Sequence, residues 1–147
     1  MKSFLIMLLS ASFGLASAQN INLYSDKGSG KVIFAASEIE QALKEKGTGI
    51  SSYANSETGR MNAAQFNIVL ISLNEKIAAG LIKKAGIKNV AGLKNEGFLI
   101  RRAGPDQKTI YVLGYDEAGT MYGGIEVAEI IRIKGIEAVQ DQMQNPT

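Results

Sequence analysis

The chain has 147 residues and contains neither cysteine nor histidine. The lack of cysteine excludes disulfides and thiolate chemistry, and the lack of histidine removes the commonest general base and metal ligand. The formal net charge is only +2, and both signs are interspersed along the chain, so nothing predicts affinity for nucleic acid or for an anionic membrane.

Residues 1–18 have the pattern of a cleavable secretory signal peptide. Lys2 precedes the apolar run 4–9, and the segment ends on the small residues Ala16-Ser17-Ala18, as at a signal cleavage site. A membrane anchor is the alternative, but polar residues and glycine interrupt a segment that is already shorter than the ~20 residues needed to span a bilayer. We therefore expect cleavage after residue 18, a secreted or periplasmic product, and no membrane contact after cleavage.

The hydrophobic pattern of the remaining residues predicts alternating strands and helices. Strands are predicted at residues 21–25, 50–53, 66–73, 97–102 and 108–115, and helices at 31–46, 75–85 and 116–134. The run 66–73 is apolar almost throughout, which predicts a strand in the middle of the sheet, covered on both faces. Asn74 is predicted to cap the second helix. The last two strands form a predicted hairpin, in which Phe98 and Ile100 share a face either with Ile110 and Val112 or with Tyr111 and Leu113.

The order β-α-β-β-α-β-β-α predicts the α/β (α+β) class, with a mixed β-sheet and about three helices packed mainly on one face. One domain is expected over residues 19–134. The polar stretch after the second strand is expected to form an exposed loop. Residues 135–147 are expected to form a tail or the start of a linker. Residues 137–147 carry few apolar side chains, so we do not expect them to pack into the domain.

Two motifs resemble catalytic or phosphate-binding signatures but have simpler explanations. Residues 28–31, Gly-Ser-Gly-Lys, precede a helix as a phosphate-binding loop does, yet position 25 is not glycine and Val32 replaces the Ser or Thr that contacts magnesium. A strand-to-helix turn is favoured. Asp116 and Glu117 resemble a pair of glycosidase acids, but at the start of a helix they are typical capping residues.

Two further sets of side chains are candidates for ligand sites. Glu126 and Glu129 lie one helical turn apart and could bind a metal, but no third ligand follows at a matching spacing, so a solvated helix face is favoured. Four tyrosines could offer platforms for sugar rings, although partial burial in the core is the default for tyrosines on strands and helices. These are Tyr53, Tyr111, Tyr115 and Tyr122. No catalytic, cofactor-binding or metal-binding residue is predicted.

Three segments, residues 35–43, 96–101 and 109–124, share a pattern with a known domain. They read as an AA-x-EL-like helix, an E-x-(Y/F)-x-(I/L) strand, and a strand-to-helix passage of the form I-x-(I/V)-x-G-x-(D/N)-x-x-G-x-x-Y-G. This combination resembles the non-catalytic N-terminal domain that precedes the catalytic barrel in glycoside hydrolases of the family 20 hexosaminidase and family 67 α-glucuronidase type. The resemblance covers nearly all of residues 19–147.

The resemblance implies that the helices pack between the sheet and a catalytic barrel in the same or a neighbouring chain. Five residues of the last helix are then expected to serve packing or the interface: Gly119, Met121, Tyr122, Gly123 and Gly124. The catalytic acids of such enzymes lie in the barrel, so the chain is not expected to be an enzyme on its own.

The segment at about residues 136–146 resembles the approach to the first strand of a barrel, which implies either a truncated gene product or a free-standing copy of the domain. The leading hypothesis is a secreted, non-catalytic accessory domain of a glycoside hydrolase, acting in carbohydrate metabolism. The alternative is a free-standing module that binds a glycan or a protein through exposed tyrosines. A small enzyme that uses Asp116 or Glu117 is the weakest hypothesis.

Overall fold

The alternating apolar segments form one six-stranded sheet and three α-helices in a computed structural model that describes residues 19–147. The predicted signal peptide, residues 1–18, lies outside the described residues. The strands are β1 (Asn20–Ser25), β2 (Gly49–Ala54), β3 (Phe66–Ser72), β4 (Phe98–Ala103), β5 (Thr109–Gly114) and β6 (Gln142–Gln144). The helices are α1 (Gly30–Glu45), α2 (Ala78–Ala85) and α3 (Glu117–Lys134). The predicted class and element order are confirmed, and β6 is an addition.

The sheet is mixed, with strand order β2-β1-β3-β5-β4-β6. Strands β1, β2, β3 and β5 are parallel, whereas β4 runs antiparallel to both β5 and β6. All residues of β3 are buried and the strand lies inside the sheet, as its apolar run predicts. Among the described residues, no helix combines the length and the apolar character needed to cross a bilayer.

The two faces of the sheet are covered differently. Helices α1 and α3 pack side by side on one face, here called the two-helix face, over aliphatic residues such as Leu23, Ile68 and Leu70. Helix α2 and several loops cover part of the other, here called the one-helix face. Two helices therefore share one face, in line with the predicted packing.

The register of the β4–β5 hairpin decides between the two predicted arrangements. Ile100 pairs with Val112, and Phe98 pairs with Gly114. Because directly paired residues point to the same face of a sheet, Phe98 and Ile100 share the two-helix face with Val112 and Ile110. All four belong to the apolar core beneath α1 and α3.

The prediction that residues 137–147 do not pack into the domain is wrong. Ile136 and Val139 are buried in the core of the two-helix face, and β6 pairs with β4 at the edge of the sheet. The Arg102 guanidinium holds this segment by donating to the carbonyl oxygens of Ile136 at 2.6 Å and Val139 at 2.5 Å. A largely polar segment is thus held by two buried apolar residues, by strand pairing and by hydrogen bonds from Arg102.

Two local predictions after β2 and β3 are also wrong. The stretch after β2 is not simply exposed, because Asn55–Arg60 forms a short 3-10 helix in which Asn55 and Thr58 are buried. Asn74 does not cap α2, which begins at Ala78 without a side-chain cap. The turn before α2 is organised instead by Glu75, whose carboxylate accepts the backbone N–H of Ser72 at 3.0 Å.

Candidate functional site

The parallel strands β1, β2 and β3 have their carboxyl ends at the same end of the sheet, with β1 between the other two. The chain adds β2 on one side of β1 and then β3 on the other, so the strand order changes direction at β1. Open α/β sheets commonly bind ligands in the crevice outside such strand ends. Here the loops form an open cleft of about 340 Å³, lined by residues that include Asp26, Lys27, Asn55 and Glu75. This cleft is the first candidate site.

Glu75 lies at the centre of the hydrogen bonds in this cleft. Its two carboxylate oxygens accept from Nδ2 of Asn55 at 3.2 and 2.9 Å. Burial raises the pKa of Glu75 above its ordinary value of 4.5, and the carboxylates of Asp26 and Glu117 add to that effect, while the hydrogen bonds from Asn55 and Ser72 oppose it. The group therefore holds its proton to higher pH than an exposed glutamate.

Asn55 links the loop after β2 to β3. Its Nδ2 also donates to the carbonyl oxygen of Leu70 at 2.8 Å, while its Oδ1 is buried without a hydrogen-bond partner in the part of the chain that is described. A buried amide of this kind fixes the relative position of the strands it connects. The hydrogen bonds of Asn55 and Glu75 therefore have a structural function at the carboxyl ends of the strands, whatever the cleft binds.

Residues 28–31 form the turn from β1 into α1. The Ser29 side chain accepts from the backbone N–H of Val32 as the helix cap, and its Oγ donates to the Glu117 carboxylate at 2.8 Å. The start of α1 thus faces a carboxylate supplied by the first turn of α3. A helix N-terminus favours such a negative charge.

The Asp116 and Glu117 carboxylates both lie at the N-termini of helices. One Asp116 oxygen accepts from the backbone N–H of Gly119 at 2.8 Å, and the other accepts from that of Glu96 at 3.0 Å. Glu117 binds Ser29, as described above. Asp116 thus caps α3, which is the simpler of the two explanations that the sequence offers, whereas Glu117 accepts from a side-chain hydroxyl rather than from a helix amide.

The three glycines that were expected to serve packing lie where α3 comes very close to neighbouring strands, to α1 or to the backbone before β4. A Cβ on Gly123 would stand 2.6 Å from Cγ1 of Val112, and one on Gly124 would stand 2.7 Å from Cβ of Ala35 on α1. A Cβ on Gly119 would meet a backbone carbonyl oxygen just before β4 at 2.1 Å. Interiors this dense cannot accept an added methyl without movement of the backbone.

The other two residues predicted for the interface lie nearer the surface. Met121 is partly buried against the core of the two-helix face, and Tyr122 is 45% exposed. Tyr122 and Glu126 line a shallow open cleft together with residues 144–146. Glu129 is exposed, and residues 19–147 contain no group of three or more acidic side chains placed to hold a metal ion.

The tyrosines do not form one continuous platform. Tyr111 is buried, and burial raises the pKa of its hydroxyl, whereas Tyr115 and Tyr122 are separately exposed. Tyr53 stacks on Tyr24 with ring centroids 5.1 Å apart.

A second candidate site lies beside this stacked pair, on the one-helix face. It is a pocket of about 200 Å³ between β1, β2 and the loop that follows β2. This pocket was not predicted from the sequence. The polar residues that alternate with apolar ones along β1 were a signal that one face of this strand is not purely apolar.

Comparison with known proteins gives the chain a family. A family model described as "Glycosyl hydrolase family 67 N-terminus" matches residues 14–126. The chain belongs to this family. The family 67 part of the resemblance is therefore confirmed, while the family 20 part stays a prediction. No curated protein matches the chain in sequence.

Solved structures of glycoside hydrolases share the fold of this family 67 N-terminal domain. The domain superposes on a "GH138 enzyme targeting pectin rhamnogalacturonan II" with a TM-score of 0.57 and 23% identity, over 85% of this chain and 15% of that one. For "CpGH84D" the TM-score is 0.61 at 13% identity, over 84% and 19% of the two chains. For "BtGH115A", a "GH115 4-O-Methyl-alpha-glucuronidase", it is 0.54 at 15% identity, over 89% and 17%.

The chain spans less than a fifth of the length of each of these three proteins. At such low identity the likeness establishes the fold alone. Together with the family match, it places the chain among accessory domains of glycoside hydrolases, a family of N-terminal domains that is typically non-catalytic.

Proposed function

We propose that this chain is a secreted, non-catalytic accessory domain that docks through the outer surface of α1 and α3 against the catalytic barrel of a glycoside hydrolase. The membership of family 67 N-terminal domains supports the accessory role. The signal-like pattern of residues 1–18 supports secretion. The barrel is supplied by the same gene product or by a neighbouring chain.

The observation that carries the docking surface is that both helices expose large apolar side chains. Ile33 and Phe34 on α1 are 46% and 50% exposed, and Tyr122 and Ile133 on α3 are 45% and 66% exposed. Of the large apolar side chains that the described residues expose, most lie on these two helices. Large apolar side chains that are exposed on one layer of a domain are candidates for burial against another protein.

The first experiment is to read the DNA directly downstream of the codon for Thr147 for an open frame that encodes a barrel. The barrel is then produced separately and titrated with this chain in a calorimeter. We expect one-to-one binding, and we expect the barrel to unfold at a higher temperature in the presence of the chain, because a partner that binds only the folded state stabilises it.

Phe34→Glu tests the surface, and Ala79→Glu on α2 is the matched control. Both residues are exposed helical positions, and both variants gain the same charge. We expect Phe34→Glu to weaken binding at least about tenfold, or ~1.4 kcal/mol, and Ala79→Glu to leave it unchanged. An equal effect of the two variants, or no binding of the barrel by the unaltered chain, would contradict docking through α1 and α3.

The pocket beside Tyr24 and Tyr53 favours a second function, that of a free-standing glycan-binding module. Its aromatic pair and its amide groups are of the kinds that recognise sugars. The absence of a barrel frame downstream, combined with measurable binding of a sugar, would favour this module over the accessory domain.

A further inference from the structure

The pocket beside Tyr24 and Tyr53 is built from two strands and one loop. Asn22 and Tyr24 come from β1, Tyr53 comes from β2, and the loop that follows β2 closes the pocket with residues between 57 and 65. Its volume of about 200 Å³ is below the roughly 300–1,000 Å³ of pockets that hold drug-sized ligands. A single small ring therefore fits the pocket better than an extended ligand.

Two side chains that line this pocket have little exposed surface, but each presents a polar atom that no group in the described part of the chain engages. Tyr24 is 3% exposed and Asn22 is 6% exposed. Within residues 19–147, the Tyr24 hydroxyl makes no hydrogen bond. Asn22 is engaged through Nδ2, and its Oδ1 accepts no hydrogen bond from any described residue. Neither atom is fully enclosed, since Oδ1 of Asn55 is the one enclosed side-chain polar atom of the described residues that lacks a partner. Both atoms are therefore open to the pocket and available to a ligand.

The Tyr24 hydroxyl is held in its protonated form. Burial raises the pKa of Tyr24, and the neighbouring Tyr53 and Glu57 raise it further. The hydroxyl can therefore donate a hydrogen bond, while Oδ1 of Asn22 can accept one. A ligand that carries both donors and acceptors, as a hydroxyl group does, satisfies both.

The aromatic rings supply the apolar part of the pocket. Tyr53 is partly buried and its ring stacks on Tyr24 at an interplanar angle of 23°. One side of the Tyr53 ring is fixed by this contact, which orients the ring before any ligand arrives. The C–H face of a sugar ring packs on such an aromatic ring while its hydroxyls reach the polar groups.

The polar wall of the pocket is rigidly supported. Nδ2 of Asn22 donates to Gln65 at 2.9 Å and to Asn67 at 3.2 Å. Nδ2 of Asn67, which is fully buried, donates in turn to the carbonyl oxygens of Asn62 and Gln65, both at 2.9 Å. These bonds tie the loop at 62–65 to the centre of the sheet, so the binding groups are positioned in advance.

The rim carries one charge of each sign. Glu57 and Arg60 both line the pocket, and Glu57 already accepts the backbone N–H of Ala54 at 2.9 Å. Because the two charges balance, the pocket has no net preference for an ionic ligand.

We infer that the pocket formed by Asn22, Tyr24, Tyr53 and the loop at 57–65 binds one neutral sugar ring. The site lies on the one-helix face, whereas the proposed docking surface lies on α1 and α3 across the sheet. Binding of the ring therefore does not depend on a barrel, and the two proposals succeed or fail separately.

The test is a titration of the full chain with single sugars, followed by amide chemical shifts in solution. The compounds are glucose, galactose, xylose, rhamnose and N-acetylglucosamine, with sorbitol as an acyclic polyol for comparison. We expect at least one ring to bind with a dissociation constant in the millimolar range, with shifts concentrated at residues 22–24, 53 and 57–65. We expect sorbitol to bind at least about tenfold more weakly, since it has no rigid face for Tyr53.

Tyr53→Ala removes the stacking ring, and Tyr122→Ala on α3 is the matched control at another partly exposed tyrosine. We expect Tyr53→Ala to weaken the binding of the ring at least about tenfold and Tyr122→Ala to leave it unchanged. Tyr53→Phe keeps the ring and should retain most of the affinity. The amide spectrum of Tyr53→Ala shows whether that variant is folded, so that a loss of sugar binding can be assigned to stacking.

Three results would overturn the site. They are no shift with any of the five rings, equal binding of sorbitol, or unchanged affinity in Tyr53→Ala. Loss of binding in Tyr53→Phe as well as in Tyr53→Ala, with both variants folded, would also count against stacking as the basis of recognition.

Discussion

The two faces of the sheet use different interactions. The two-helix face is an aliphatic core in which α1 and α3 approach so closely that Gly124 meets Ala35. The one-helix face carries buried polar side chains, Asn22, Asn67 and Thr109, paired across adjacent strands in the same register. The second face also has an apolar core, which includes Val69, Ile71 and Leu113, but its row of polar side chains leaves room for a pocket.

Arg132 adds an ionic contact to the two-helix face. Its guanidinium lies 2.8 Å from the Glu38 carboxylate and 3.6 Å from that of Glu45 on α1. All three side chains are partly exposed, so these pairs contribute little compared with the packed core. The faces thus differ in the close approach of two helices on one side and the buried polar row on the other, and substitutions on each side can test this difference.

The largest effect is expected from shortening a side chain in the core of the two-helix face. Leu70 is fully buried, and Leu70→Ala should lower the free energy of unfolding by about 2–5 kcal/mol, through lost burial and a cavity that cannot collapse. Leu81→Ala on α2, at 9% exposure, should have a smaller effect. Urea unfolding measures both, and equal losses would break the distinction between the faces.

Next in size is the loss of the buried amide on the one-helix face. Asn67→Ala removes the acceptor for Asn22 and the donor to the loop at 62–65, which should lower the free energy of unfolding by about 1–3 kcal/mol. Amide hydrogen exchange should also accelerate at residues 62–65. Ile68→Val, next to it but facing α1 and α3, is the control and should leave exchange in that loop unchanged.

A smaller effect, of opposite sign on the two faces, is expected from adding one methyl group to a helix glycine. Gly124→Ala gains helix propensity but forces α1 and α3 apart, for a net loss of about 1–2 kcal/mol in the free energy of unfolding. Gly80→Ala on α2 has nothing within 4 Å of the new Cβ and should gain about 0.5–1 kcal/mol. Thermal unfolding separates the two, and a stabilised Gly124→Ala would mean that the helices are not closely packed.

The smallest effect is a pH dependence from Glu75. Its pKa in the folded chain lies above the ordinary value of 4.5 because of burial, so the folded state binds this proton more tightly than the unfolded state. The stability that this proton contributes is complete below about pH 4.5 and is lost as the pH rises through the folded pKa.

Glu75→Gln tests this sign. The difference in the free energy of unfolding between the unaltered chain and the variant should shift in favour of the unaltered chain as the pH falls from neutral towards 4.5. Urea unfolding at a series of pH values measures the difference. A constant difference over that range would mean that Glu75 titrates normally.

Local sequence patterns were sufficient to predict the order of the elements, the buried middle strand and the cap at Asp116. The apolar run of β3 and the spacing of apolar residues along α1 and α3 depend on neighbours within one element, so their signal survives without tertiary contacts. The family resemblance came from the same kind of local pattern, in the passage through residues 109–124.

Other features depend on residues that are distant in the chain. Asn22, Tyr53 and Gln65 form one pocket only because β1 lies between β2 and β3 in the sheet. Likewise, Arg102 on β4 binds the segment after α3, which has few apolar residues to show that it packs.

The sequence by itself therefore determined which segments form strands and helices and to which family they belong, because hydrophobic spacing and capping act within a few residues. The tertiary structure alone decided the hairpin register, the packed tail, the polar row across β1, β3 and β5, and the pocket beside Tyr24. The hairpin register concerns two consecutive strands, whereas the other three features arise from contacts between segments whose order in the sheet differs from their order in the chain.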